Sequence, residues 1–111
     1  MQHDINEIKC KLAKLARQKD KRDVGIGPEE PTRWWTMSVT DPRSGKPFTP
    51  AGAWDFIAEE LDKKETTIKQ VLMKKPCGKL GYAFRVRTES GIIYIKVRLG
   101  KNKIIGRSFH T

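Results

Sequence analysis

The chain is poor in the residues that build metal, disulfide or membrane chemistry. It holds two cysteines, Cys10 and Cys77, and two histidines among 111 residues. The cysteines are far apart and lack a Cys-x-x-Cys spacing, so neither a disulfide framework nor a zinc site is indicated, and no metal or other cofactor is expected. No apolar run approaches the roughly 18 residues needed to cross a bilayer. Met1 to Cys10 is polar and charged, without the apolar stretch of a secretory signal. A cytoplasmic protein with no membrane partner is the expectation. Scarcest of all is negative charge in the last third: residues 71–111 hold ten Lys and Arg against Glu89 alone.

The rest of the chain is nearly balanced. Residues 1–30 carry seven basic side chains against six acidic, and residues 31–70 carry six against six. Almost all of the net charge of +10 therefore belongs to the C-terminal segment. An even spread would serve solubility only. A concentration of one sign in one third points to a surface for a polyanion.

At this length residues 1–111 form one domain. Ile5, Ile8, Leu12 and Leu15 fall on one helical stripe, which predicts an N-terminal helix within residues 1–22, opened by Asp4 and Glu7 as a capping pair. Residues 23–47 are broken repeatedly by Gly and Pro and read as an irregular connection, long enough to be functional or partly mobile. Trp34 and Trp35 lie in it, and burial of at least one would pin the segment to the core, the alternative use of such a ring being to stack on a base. Residues 48–111 read as a helix followed by a sheet. Thr49 suits an N-cap and Pro50 the first helical position, after which Trp54, Ile57, Ala58 and Leu61 form the buried face and Glu59, Glu60 and Asp62 point outward. From Ile68 the period changes to two, with strands expected at Ile68–Lys74, Tyr82–Thr88, Ile92–Leu99 and Lys103–His110. The short loops after Thr88 and Leu99 suit hairpins. The expected fold is α+β: one or two N-terminal helices packed on a C-terminal antiparallel sheet of about four strands.

Alternation then sorts the charge. Tyr82, Phe84 and Val86 share one face of their strand, and Arg85 and Arg87 the other. Ile93, Ile95, Val97 and Leu99 share one face of the next, and Ile92, Tyr94, Lys96 and Arg98 the other. With the apolar faces against the helices, Arg85, Arg87, Tyr94, Lys96 and Arg98 are expected together on the opposite face, with no acid among them. Wet, charged faces are common in antiparallel sheets, but they normally mix signs, and like charges across paired strands are destabilising. The last strand breaks the pattern, because Arg107 shares parity with the apolar Ile105 and Phe109. A bulge near Gly106 would resolve this and bring Ser108 and His110 to the basic face.

RNA cleavage by its own 2′-OH needs a base, an acid and cations that stabilise the charged phosphorane. Tyr94, His110, Lys96 and Arg107 are the candidate catalytic residues. Lys74, Lys75, Lys79, Arg85, Arg87 and Arg98 are the candidate RNA-binding cations. The segment from Gly91 through Tyr94-Ile-Lys96-Val-Arg-Leu99, a short turn, then Lys103-Ile-Ile-Gly-Arg-Ser108-Phe109-His110, resembles the end of the MqsR-type ribonuclease toxins of bacterial toxin–antitoxin systems. Those proteins also close with a Tyr-x-Lys-Val strand and an apolar strand ending in Ser-Phe and a basic residue. The resemblance covers roughly residues 68–111. It implies a RelE-like fold, a metal-independent endoribonuclease, and an acidic antitoxin protein as partner. It matches Tyr94 to the functional tyrosine, His110 to the terminal basic residue, and Lys74 or Lys75 to an upstream functional lysine. His110 stands where the family has Lys, the family's glutamine has no counterpart near Gly81, and residues 1–47 have no counterpart. Alternatives of other classes are a non-catalytic nucleic-acid-binding or adaptor domain using the same face, or a structural protein whose charge meets an acidic protein. Exposed aromatics would favour the binder.

Overall fold

The apolar stripe of the N-terminal segment forms helix α1, Ile5–Ala16, in the computed structural model, which describes residues 5–24, 33–72, 80–89 and 91–111. Burial increases along the helix, from exposed Ile5 to fully buried Leu12 and Ala16. The expected helix to Arg22 stops six residues early. After Ala16 no apolar side chain follows until Val24, so further turns would bury nothing. The chain instead makes a 3-10 turn at Lys19–Lys21 and enters a short strand, β1, Arg22–Val24. The Arg22 guanidinium donates from Nε to the Ala16 carbonyl at 2.6 Å, satisfying an orphan acceptor of the helix end, and from Nη2 to Asp55 at 2.7 Å. Capping side chains at Asp4 lie outside the described residues.

A second short strand, β2, Arg33–Trp34, and a 3-10 turn, Thr36–Ser38, interrupt the expected irregular connection. Its described part after Ser38 is tied down. Asp41 is buried and grips Arg43, whose guanidinium also reaches the Gly52 carbonyl at 3.0 Å and Glu59 at 3.1 Å. The hydrogen bonds from Arg43 hold the Asp41 carboxyl below the usual aspartate range. Phe48 follows, fully buried against Phe56 and Phe109.

Helix α2, Pro50–Leu61, begins as its sequence signals indicate. The Thr49 hydroxyl accepts from the Gly52 N–H at 2.9 Å, and Pro50 occupies the first turn. Trp54, Ile57, Ala58 and Leu61 are buried as expected, but Glu60 is not outward. It is 7 % exposed, and Lys63 pairs with it at 2.9 Å. Arg17 of the α1 end pairs with Asp62, and Lys9 donates to the Lys63 carbonyl, which ties the two helices together. No helix among the described residues is long and apolar enough to cross a membrane.

The remaining strands are β3, Lys69–Leu72; β4, Leu80–Thr88; β5, Gly91–Gly100; and β6, Lys103–His110. β3 to β6 pair antiparallel in sequence order, as expected. The expectation of a four-stranded, wholly antiparallel sheet is corrected by the far edge. β1 and β2 both pair with β6 in parallel, end to end, at Ile104–Gly106 and at Ser108–Phe109, so the sheet has six strands and mixed orientation. Leu12, Ile57, Phe84, Ile93, Ile95, Val97, Ile104 and Phe109 meet in one buried cluster on its helix side.

The register shifts once, between Lys96–Ser108 and Val97–Gly106, which makes Arg107 the extra residue of a bulge. The bulge sends Ile104 and Phe109 to the helix-side core and turns Ile105 to the other face beside Arg98, where it is buried but outside that cluster. Gly106 lies beneath Trp34, and a Cβ there would fall 2.6 Å from the indole. Trp34 in turn packs on Trp54 and Phe109 at ring distances of 5.2 and 5.7 Å.

Candidate nucleic-acid interface

Directly paired residues of a sheet share a face, so the register alone assembles the side away from the core. Its first row pairs Arg87 with Ile92. In the second, Arg85, Tyr94 and His110 stand side by side across β4, β5 and β6. The third runs Lys69, Ala83, Lys96, Ser108 and Arg33 across five strands. The fourth contains Gly81, Arg98, Ile105 and Asp23. Asp23 is an acid where the sequence pattern places none. It occupies the far corner of the face, paired with Lys103 at 3.1 Å.

The second row is a chain of ring contacts. The Arg85 guanidinium carbon lies 5.5 Å from the Tyr94 ring centroid, close enough for a cation–π contact. Tyr94 and His110 follow at 5.4 Å, tilted by 41°. His110 is then 6.0 Å from Trp35, the residue that leaves β2, and the Arg33 guanidinium carbon is 5.8 Å from the Trp35 ring. The backbone of Trp35 is held in place by its main-chain N–H, which donates to the Phe109 carbonyl at 3.0 Å. Toward β3 the row opens into a groove whose lining includes Lys69, Arg85, Arg87 and Tyr94 and, on its far side, the acids Glu60 and Glu65.

Of the sequence-predicted residues, Tyr94, His110, Lys96 and Arg85 are brought together. Lys96 is half-buried, and its ammonium is pushed below the ordinary lysine value, first by lost hydration and then by the charge of Arg107. Arg107 itself is only 1 % exposed. Buried to that degree at the bulge, its guanidinium bears on the face through its charge on Lys96. Arg87 is exposed one row away, and Arg98 is four residues along β5 from Tyr94, a separation of about 13 Å. Lys74, Lys75 and Lys79 lie outside the described residues.

Arg33, Trp35 and Lys69 also lie on this face; from sequence, Arg33 and Lys69 fall outside the candidate site and Trp35 has either a core-pinning or a base-stacking role. A signal for the first two exists. Arg33, Trp34 and Trp35 alternate, so once Trp34 joins the core its two neighbours must face the other way. A strand of two residues is too short for that period to register.

A histidine beside a tyrosine can act as acid or base toward a ligand whose phosphate the flanking cations hold. Among the described residues no three His, Cys, Asp or Glu side chains come together in a cluster that could hold a metal ion. Compared with protein-family models, curated proteins and solved structures, the chain has no match.

Proposed function

We propose that the protein binds RNA on the basic sheet face and cleaves it as a metal-independent, toxin-type endoribonuclease. One observation carries the reading: Tyr94 and His110 are adjacent on paired strands, between Arg85 on one side and Lys96 in the next row. The 2′ oxygen attacks the adjacent phosphorus, and the bond from phosphorus to the 5′ oxygen breaks. The 2′-OH proton passes to a base, and a proton reaches the departing 5′ oxygen from an acid. The products are a 2′,3′-cyclic phosphate and a 5′-OH. His110 serves as acid or base, Tyr94 orients or relays the proton, and Lys96 and Arg85 stabilise charge on the phosphorane. The same reading takes the chain as a cytoplasmic protein with a RelE-like fold and an acidic antitoxin as its restraining partner, on the C-terminal resemblance of Tyr94-x-Lys96-Val and Ser108-Phe109-His110.

His110→Ala and Tyr94→Phe are each expected to abolish RNA cleavage and toxicity on expression. RNA binding should persist, because neither change removes a fixed positive charge. Cleavage should continue in EDTA. Full cleavage by the His110→Ala protein would remove the catalytic role of the C-terminal strand. The exposed ring of Trp35 favours a second reading, a non-catalytic nucleic-acid-binding or adaptor domain, since aromatic stacking holds single strands without chemistry. Absence of cleavage by the wild type, with RNA alone or with ribosomes, decides for that reading.

A further inference from the structure

We infer that Trp35, with Arg33, forms a subsite that stacks one unpaired nucleobase next to His110, and that the ligand of the basic face is therefore single-stranded RNA. The inference rests on RNA lying on this face, whether or not it is cut there.

Of the three tryptophans, Trp54 is buried and Trp34 is packed between Trp54, Phe109 and Gly106. Trp35 is 53 % exposed, although an indole left open to water forgoes the burial that such a large ring normally gains. Its position is nonetheless defined. The backbone is fixed to β6, the Arg33 guanidinium lies by the ring, and His110 lies 6.0 Å away. A ring held in place but left uncovered offers a flat platform, and Arg33 adds a charge suited to the phosphate beside the base. Every nucleobase has a face that stacks on such a ring, whereas bases inside a duplex are already stacked on one another. Trp35 continues the Arg85–Tyr94–His110 row, so a strand crossing that row brings a neighbouring base within reach of the indole.

The test uses an unstructured 2′-O-methyl oligoribonucleotide of about ten nucleotides, a length within the site sizes of such surfaces, and the same sequence annealed to its complement. The methyl group blocks cleavage, so binding is read alone. The single strand should quench the share of tryptophan emission that is absent from the Trp35→Phe protein. Trp35→Ala should weaken single-strand binding by about 5- to 150-fold, the loss found for one stacked base. It should also erase the preference over duplex. Trp35→Phe should restore most of the affinity. Wild-type binding without quenching, or with affinity unchanged in Trp35→Ala, overturns the subsite alone and leaves the indole for another partner, such as a protein. If the wild type binds neither ligand, RNA does not occupy the face, and both this inference and the proposed function fail.

Discussion

Lys96 stands between Ala83 and Ser108, with Arg107 enclosed nearby, and its environment favours the neutral amine. An unperturbed lysine loses its proton near about 10.4. With a lowered value, Lys96 loses its charge earlier as pH rises, so its hold on a phosphate weakens from a lower pH. Stability runs the other way. The folded chain binds this proton less tightly than the unfolded chain, so charged Lys96 costs stability at neutral pH. That cost is relieved as pH rises from the lowered folded value toward about 10.4. Arg107→Met keeps most of the buried volume and removes the like charge. It should move the alkaline decline of RNA affinity to higher pH, and Lys96→Arg, which stays charged, should move it further. An unchanged decline in Arg107→Met, measured by titrating binding across pH, would separate Arg107 from Lys96. Alternation along β5 makes the place of Lys96 legible from sequence. The enclosure of Arg107 is not legible, because the orientation of an extra residue in a bulge depends on how two strands meet.

Strand β2 has two residues, yet it decides how the N-terminal half joins the sheet. Trp34 fills the space over Gly106 and contacts Trp54 of α2 and Phe109 of β6. Trp54→Ala is expected to cost about 3–5 kcal/mol through the cavity it leaves, and Trp34→Ala less, because Trp34 is only half-buried. The two rings touch, so the double variant should depart from additivity by about 0.5–3 kcal/mol in denaturant unfolding. Gly106→Ala should cost about 1–3 kcal/mol by forcing the indole away. Strict additivity of the two tryptophan variants, with Gly106→Ala neutral, would mean that β2 is only loosely attached. Helix α2 and strands β4 to β6 are long enough for their periods to be read directly. Strands β1 and β2 have three residues and two, and their place on β6 comes from backbone pairing, which leaves no pattern in side chains.

At the scale of the whole molecule, Arg33, Lys69, Arg85, Arg87, Lys96 and Arg98 among the described residues share one side of the sheet, and Asp23 at its corner is already paired with Lys103. Binding dominated by phosphate contacts releases counterions, so the logarithm of affinity for single-stranded RNA should fall with the logarithm of salt by about 0.7 per phosphate contacted. About four contacts give a slope near −3. Replacing Arg85, Arg87 and Arg98 together by Ser should flatten it, measured by anisotropy over a salt series. An unchanged slope would place the binding surface elsewhere. The contribution of Trp35 is separable in the same experiment. Stacking is not a counterion effect, so Trp35→Ala should lower affinity at every salt concentration while keeping the slope.

The sequence by itself determines the α+β class, helix α2 with its Thr49 cap, and the antiparallel order of β3 to β6. It also determines that Arg85, Tyr94, Lys96 and Arg98 share one face. Each of these follows from local spacing, since 3.6- and 2-residue periods fix which side chains can be buried together. Tertiary structure alone decides that β1 and β2 extend the sheet in parallel along β6, and that Glu60 and Arg107 are enclosed. It also brings Trp35 and Arg33 beside His110. These features depend on contacts between residues distant in the chain, where burial and pairing outweigh the weak preferences of a two- or three-residue segment.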